Sequence, residues 1–306
     1  MKNLNKQKVI LVGILLVILV GISVGAGYFS RVFSKIDKVN LNEEKLGINK
    51  EEENKEIKNI ALFGIDSEEM KGRSDAIMIL TLDGKHNKFK LTSVMRDSYV
   101  NIDGYGMDKI NHAYAYGGAE LAIKTLNENF GLNIEDFIAV NFESIKEIVN
   151  ALGGVNINIS EEEVSHISGI TEAGFKKLNG EQALQYSRIR YASGGDAMRT
   201  QRHRNIISSL YESFKYTELK EYPEIINKLV AHVKTSFSSR ELIDLGSKFY
   251  TELNGNLQEE RFPLEGEGKE LKKDNVFYLQ YDLEKAKNQM REYIYNDIKP
   301  EQSGVK

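Results

Sequence analysis

From Val9 to Phe29 the chain carries no charged residue, and Val9 to Val20 is nearly all valine, isoleucine and leucine. About 20 apolar residues span the hydrocarbon core of a bilayer as one helix. No other run in the chain approaches this length. The sequence therefore predicts a single membrane-spanning helix at 9–29 and a water-facing remainder. Lys2, Lys6 and Lys8 precede the run with no acid among them, whereas Arg31, Lys35 and Lys38 follow it close to Asp37, Glu43 and Glu44. The positive-inside rule counts lysine and arginine and puts residues 1–8 in the cytoplasm, with the rest of the chain outside the cell membrane. The competing reading is a cleaved signal peptide. Its apolar core would be shorter, and Val24-Gly25-Ala26 is a poor small-x-small cleavage site, which favours a retained anchor.

Residues 30–58 read as a linker, because Leu41 to Lys58 is polar and rich in charge. A globular pattern occupies 59–299, and a polar tail, 300–306, follows. Apolar runs at Ile60–Ile65 and Ala76–Leu82 and an alternating run at Lys88–Val94 predict strands, the last two forming a hairpin across Asp83-Gly84. Ala119–Phe130 predicts a helix stopped by Gly131. A strand at Phe137–Phe142, a helix at Glu143–Leu152 and a strand at Val155–Ile159 follow. Gln182–Tyr186 closes a helix, and Thr200–Phe214 forms a long one. The pattern after Tyr222 is helical to about Leu253, then gives a strand at Val276–Leu279 and a helix at Leu283–Tyr295. Strands alternating with helices imply an α/β fold, a central sheet covered by helices.

The chemistry lies in arginines and aspartates at the ends of these runs. Asp66 ends the first strand, Arg73 and Asp75 open the second, and Arg96 and Asp97 follow the third. Arg188, Arg190, Arg199 and Arg202 cluster around Ser193-Gly194-Gly195-Asp196. Arginine grips phosphate oxygens through two parallel charge-assisted hydrogen bonds. Carboxylates hold a hard cation such as Mg²⁺, which needs only one or two of them beside phosphate oxygens. In an extended segment Arg188 and Arg190 would share a face. On a helix Arg199, Arg202 and His203 would do so, behind a glycine-rich start suited to anions. The bland alternatives are a turn-capping Asp66, an Asp97 paired to a neighbouring arginine, and a solvated basic face. The chain has no cysteine, so disulfides, thiolate metal sites and cysteine nucleophiles are excluded. A net charge of −4 gives no global basic character and argues against nucleic acid as a partner.

The segments NIALFGID, GRSDAIMILTL, SVMRDSYVNI, KINHAYAYGGAELAIKTL, VNALGGVNINI, LNGEQALQYSRIRY and AMRTQRHRN, in this order, resemble the LytR-CpsA-Psr family of cell-envelope enzymes. The match is strongest over 59–210. The resemblance implies an α/β/α sandwich with a central mixed sheet and an apolar tunnel that binds a polyprenyl chain. It implies transfer of an anionic glycopolymer, such as a teichoic acid or a capsule, from a polyprenyl pyrophosphate carrier in the membrane lipid to peptidoglycan, with Mg²⁺. By resemblance, Asp75 and Asp97 are the metal-binding carboxylates, and Asp66 is a further acid near the pyrophosphate. Arg73, Arg96, Arg188, Arg190, Arg199 and Arg202 hold the pyrophosphate, with Arg96 and Arg190 counted among the catalytic residues. The chain departs from the family at Met95, where proline is usual and its loss would loosen the turn. It departs again at Val100, where some members carry arginine, and at His203, where glutamine is common.

On this reading a muramic-acid hydroxyl attacks the glycan-bearing phosphorus and polyprenyl phosphate leaves. A metal-bound carboxylate is a poor general base, which leaves Asp66 or no dedicated base. Two other functions compete: a polyprenyl pyrophosphate hydrolase with water as acceptor, and a membrane-bound regulator that binds the lipid carrier without turnover.

Overall fold

The structure is a computed structural model that describes residues 37–49, 56–67, 69–141, 144–189, 202, 205–206, 209, 233–238, 240–242, 244–245 and 257–301. The predicted membrane helix, Val9–Phe29, lies outside these residues, as does most of the predicted helix from Thr200. The helical pattern expected from Tyr222 to about Leu253 does not hold throughout: its described part forms a strand at Val233–Thr235 and is helical only at 240–242 and 244–245. No helix of the described residues is long and apolar enough to cross a membrane. Two compact units divide the chain, one drawing on 37–140, 234–238 and 251–306, the other on 141–233 and 239–250.

The first unit is built on β1 (Asp37–Lys38), β2 (Ile57–Ile65), β3 (Ser74–Asp83), β4 (Lys88–Val94), β7 (Asp136–Asn141), β10 (Val233–Thr235) and β11 (Leu257–Phe262). They form one seven-stranded sheet in the order β1-β10-β7-β2-β3-β4-β11. The sheet is mixed: β2, β3 and β4 run antiparallel in succession, while β1–β10 and β4–β11 are parallel pairs. Two hairpins stand apart from it, β5 (Tyr99–Ile102) with β6 (Gly106–Lys109) and β12 (Lys269–Lys273) with β13 (Val276–Gln280).

Register sorts the central strands into two apolar faces, since opposed residues in an antiparallel pair point the same way. Ala61 pairs with Ile79, Phe63 with Ile77, and Ile77 with Val94, and this face joins one buried core. The residues between them, Ile60, Leu62, Leu80 and Leu91, face the other way and are fully buried too. That explains why β2 reads as an unbroken apolar run rather than an alternating one. The first face is covered by α1 (His112–Phe130) and α5 (Leu283–Tyr295), through residues such as Phe130, Met290 and Ile294. Each such side chain contributes about 1.5–3 kcal/mol when taken from water. α1 is interrupted at Gly117 and Gly118, the latter at φ +63, so its regular part matches the predicted Ala119–Phe130. Gly131, left-handed at φ +64, donates its N–H to the Asn127 carbonyl and ends the helix.

The segment read as a solvated linker contains a short 3-10 turn at Glu43–Lys45, and Leu46 behind it is fully buried in the core. The buried amide of Asn127 donates to the Leu46 carbonyl at 2.8 Å, a tie to a residue far along the chain that local composition does not encode.

At one end of the sheet, Lys90 is fully buried on Asp83, and Lys88 and Lys90 both pair with Asp297. Burial pushes the Asp297 carboxyl up, but the Lys88 hydrogen bond and the Lys90 charge outweigh it and hold it below the ordinary range. A depressed carboxyl stabilises the fold at pH values above its unfolded pKa of about 3.9, and that stability is lost as pH falls through the folded value. Asp297→Asn is expected to flatten the acid limb of the stability–pH curve measured by urea unfolding. An unchanged limb would contradict this.

The second unit contains α2 (Ser144–Ala151), β8 (Val155–Ile159), α3 (Glu161–Val164), β9 (Gly174–Leu178) and α4 (Gly180–Arg188). β8 and β9 form an antiparallel hairpin, and Val149, Ile157, Leu178, Tyr186 and Ile189 share its core. The start of α4 is set by a reciprocal cap in Asn179-Gly-Glu-Gln182. Gln182 N–H donates to Asn179 Oδ1 at 2.9 Å and Asn179 N–H to Gln182 Oε1 at 3.0 Å.

Candidate functional site

The antiparallel register of β3 and β4 assembles the site. Ile77 pairs with Val94, so Asp75, two residues before it, lies opposite Arg96, two residues after its partner. Arg96 Nη1 donates to Asp75 Oδ2 at 2.8 Å, and its Nε reaches Asp97 Oδ2 at 3.4 Å. One guanidinium thus bridges two carboxylates, all three side chains being mostly buried yet still open to solvent. Lys109 Nζ donates to Asp97 Oδ1 at 2.7 Å.

The backbone holds this arrangement. Met95-Arg96-Asp97-Ser98 is a β-turn closed by Ser98 N–H on the Met95 carbonyl at 3.0 Å. The carbonyls of Arg96, Asp97 and Ser98 accept from the N–H groups of Asn111, Leu279 and Ile110. Met95 itself donates its N–H to the Phe262 carbonyl at 3.1 Å. Proline could not make that bond, so the departure at Met95 ties the turn to β11 instead of loosening it. Val100, the other departure, is fully buried in the core.

Asn111 completes the cluster. Its Nδ2 donates to Asp75 Oδ1 at 3.1 Å, an orientation the carboxylate dictates because it can only accept. Oδ1 of the same amide is left buried and without a hydrogen-bond partner. Asp66 and Arg73 stand at the mouth of the β2–β3 loop, both exposed, with Asp66 N–H on the Arg73 carbonyl at 2.9 Å. The loop is tight at Gly72, where a Cβ would sit 2.7 Å from the Asp66 carbonyl oxygen. The structure therefore brings together Asp75, Arg96 and Asp97 and leaves Asp66 outside their network. It adds Lys109 and Asn111, which lie inside the KINHAYAYGG segment but carry no periodic or spacing signal of their own.

The remaining arginines belong to the second unit. Arg188 is the last residue of α4, so the extended geometry expected for Arg188 and Arg190 does not hold at Arg188. The helix that Gln182–Tyr186 signals simply runs on to it. Arg190, Arg199 and His203 lie outside the described residues, as does the glycine loop Gly194-Gly195. Arg202 is 1% exposed. Its Nε donates to Glu163 Oε1 at 2.7 Å and its Nη1 to the Ile189 carbonyl at 3.0 Å. Glu163 Oε2 in turn accepts from Ser160 N–H at 2.9 Å. In place of the open, ligand-gripping position expected for it, Arg202 clamps Ile189, the residue after α4, to the buried Glu163 of α3.

Among the described residues no group of three or more histidine, cysteine, aspartate or glutamate side chains is disposed around one metal position. The oxygens of Asp75, Asp97 and Asn111 are nonetheless hard donors of the kind Mg²⁺ takes, and Mg²⁺ needs few of them when phosphate supplies the rest.

Known proteins resemble the chain over most of its length. The polyisoprenyl-teichoic acid–peptidoglycan teichoic acid transferase TagU of Bacillus mycoides (strain KBAB4) is 31% identical over 277 residues, covering 85% of this chain and 89% of that one. The structure of TagT bound to LI-WTA superposes with a TM-score of 0.61 at 26% identity, over 84% of this chain and 99% of that chain. That of the LytR-CPS2A-psr family protein YwtF (TagT) with bound octaprenyl pyrophosphate lipid does so at 0.58 and 25% identity, with the same coverage. The LytR_cpsA_psr family model matches residues 27–293, and the chain belongs to that family.

Proposed function

We propose that the chain is a transferase that moves an anionic glycopolymer from a polyprenyl pyrophosphate carrier to peptidoglycan. The observation that carries the reading is the Asp75–Arg96–Asp97 bridge, with Lys109 and Asn111 against it, at the adjoining ends of β3 and β4. A relative named for this transfer and a family structure holding octaprenyl pyrophosphate support the choice of substrate. The prenyl chain would lie in an apolar tunnel, as the family resemblance implies.

The chemistry follows from the charges. Arg96 presents a planar fork that Asp75 and Asp97 hold in one orientation, ready for phosphate oxygens. Lys109 adds a second cation, and exposed Arg73 a third. Asp75 and Asp97 would hold Mg²⁺, with Asn111 Oδ1 as a further hard donor. Once bound, the ion would neutralise pyrophosphate charge and polarise the phosphoryl oxygens. The acceptor hydroxyl oxygen forms a bond to the glycan-bearing phosphorus. The bond from that phosphorus to the bridging oxygen breaks, and polyprenyl phosphate leaves with the electron pair. The arginines and Lys109 stabilise the charge that develops on it. Asp75 and Asp97, paired to cations and assigned to the metal, would be poor proton acceptors, so the hydroxyl proton goes to exposed Asp66 or to solvent. The same reading gives Arg188, Arg190 and Arg199 phosphate contacts, and gives Arg202 a supporting role.

Arg96→Lys keeps the charge but loses the fork. It is expected to weaken octaprenyl pyrophosphate binding roughly tenfold to hundredfold, the worth of a charge-assisted contact. Unchanged binding would remove Arg96 from the site. The reading also needs a membrane anchor at 9–29 with residues 30–306 outside the cell. A periplasm- or surface-specific reporter fused after Lys306 should be active, and an inactive one would overturn the location.

A further inference from the structure

Five large apolar side chains stay exposed on the two small hairpins and the start of α1: Tyr105, Met107, Tyr116, Val276 and Phe277. Burying each would stabilise the fold, and Tyr105 with Tyr116, and Phe277 through Lys109, are brought together across these elements, an exposed apolar surface of the kind that takes a ligand. Tyr105 is 55% exposed at the β5–β6 turn, between Gly104 and Gly106, both at φ +78. Its N–H is fixed on the Ile102 carbonyl at 2.9 Å. Its ring stacks on Tyr116, centroids 4.2 Å apart and planes 11° from parallel. Tyr116 is held in turn: its hydroxyl donates to Asp108 Oδ2 at 2.7 Å, and His112 Nδ1 lies 2.9 Å from the same oxygen. His112 also packs edge-on to Tyr116, so the outer face of Tyr105 is the one left open.

The surface runs directly into the transfer site. On the exposed face of the hairpin, Asn101 is opposite Met107 and Tyr99 opposite Lys109, while Val100 and Ile102 point into the core. Lys109 Nζ, 2.7 Å from Asp97, also sits 5.8 Å from the ring centroids of Phe277 and Tyr278. One ammonium is shared between the aromatic surface and the phosphate cluster. β6 runs from Gly106, next to Tyr105, to Lys109, about 10 Å at a rise of about 3.4 Å per residue, room for a short oligosaccharide.

We propose that this surface is the acceptor platform, on which a glycan strand of peptidoglycan lies with its sugar rings against the tyrosine faces and its reacting hydroxyl beside Asp97. The proposal rests on the transfer reading and names the acceptor subsite. Aromatic faces carry partial negative charge, and the axial C–H bonds of a pyranose present partial positive charge to them. The polar groups beside the rings, Asn101 and Lys109 on the exposed face and Asp108 bonded to Tyr116, are of mixed character and suit hydroxyl and acetamido groups. An anionic bilayer surface would call for a basic cluster instead. The Asp108 hydrogen bond, assisted by burial, pushes the Tyr116 phenol up to about 12, so it stays a donor and the stack stays ordered before the ligand arrives.

The chain contains no tryptophan, so Tyr105→Trp places a single fluorophore on the platform of the full-length protein. An N-acetylglucosamine tetrasaccharide is expected to shift its emission, while phosphatidylglycerol vesicles leave it unshifted. Tyr105→Ala is expected to weaken tetrasaccharide binding about three- to tenfold, the worth of one aromatic contact, without changing octaprenyl pyrophosphate binding. Equal affinity in Tyr105→Ala and the parent, or an emission shift with vesicles and none with the sugar, would overturn the platform. A parent that binds the sugar through Tyr105 but not octaprenyl pyrophosphate would uphold the platform and sink the transfer reading, so the two failures are separable.

Discussion

Asp75→Ala and Asp97→Ala are each expected to lower glycan transfer by about 10²- to 10³-fold, the loss that follows removal of one group stabilising a developing charge. Asp75 accepts from both Arg96 and Asn111, and Asp97 from both Arg96 and Lys109. Removing either releases one side of the Arg96 fork and takes away one of the two carboxylates assigned to Mg²⁺. The fold is expected to survive, because the turn 95–98 is held by backbone hydrogen bonds that neither side chain makes. Chelation of divalent cations should reproduce the defect in the parent protein. Transfer assays beside thermal unfolding separate the two effects. Full transfer by Asp75→Ala, with unchanged metal dependence, would remove the metal assignment.

Arg202→Ala is expected to do the reverse, unfolding more than it disables. Arg202 and Glu163 are buried against each other, and removing one partner leaves the other as an uncompensated charge. Such a loss costs about 3–5 kcal/mol, a large share of the roughly 5–15 kcal/mol that holds a domain together. The double substitution Arg202→Met with Glu163→Leu removes both charges and should recover most of that stability. Urea unfolding of the three proteins measures this. If Arg202→Ala were as stable as the parent and lost only octaprenyl pyrophosphate binding, Arg202 would be a ligand contact after all.

These two results contrast because the sequence shows residue types at strand ends but not long-range partners. The carboxylates at the ends of β2, β3 and β4 were legible because an apolar run stops where a buried strand stops, and the β3–β4 register is set by a short hairpin. The helices Ala119–Phe130 and Leu283–Tyr295 were legible for a similar local reason, a 3.6-residue apolar period closed by a cap. Glu163 lies 39 residues before Arg202, and although Ser160 three residues earlier marks it as a capping-box glutamate, nothing local pairs it with Arg202. The β5–β6 hairpin was missed because only Val100 and Ile102 turn inward and a Gly-Tyr-Gly turn reads as loop. β11 was missed because LQEERF looks polar, and its place is fixed by parallel pairing to β4 across most of the chain. Lys109 and Asn111 were seen only as part of a motif, since their roles exist only where β6 and α1 return to the β4 turn.

What leaves the carrier, and where the phosphoryl-linked glycan goes, separates transfer from hydrolysis and from binding alone. The direct measurement incubates the full-length protein, with Mg²⁺ and peptidoglycan, with a polyprenyl pyrophosphate-linked glycan labelled in the sugar, and identifies both products by mass spectrometry. Transfer gives polyprenyl monophosphate and, in equal amount, label joined to peptidoglycan through a phosphodiester. Polyprenyl monophosphate with the label released as free glycan phosphate would make the protein a hydrolase. An intact carrier that is bound but never turned over would make it a lipid-binding regulator, and either outcome would contradict the transfer.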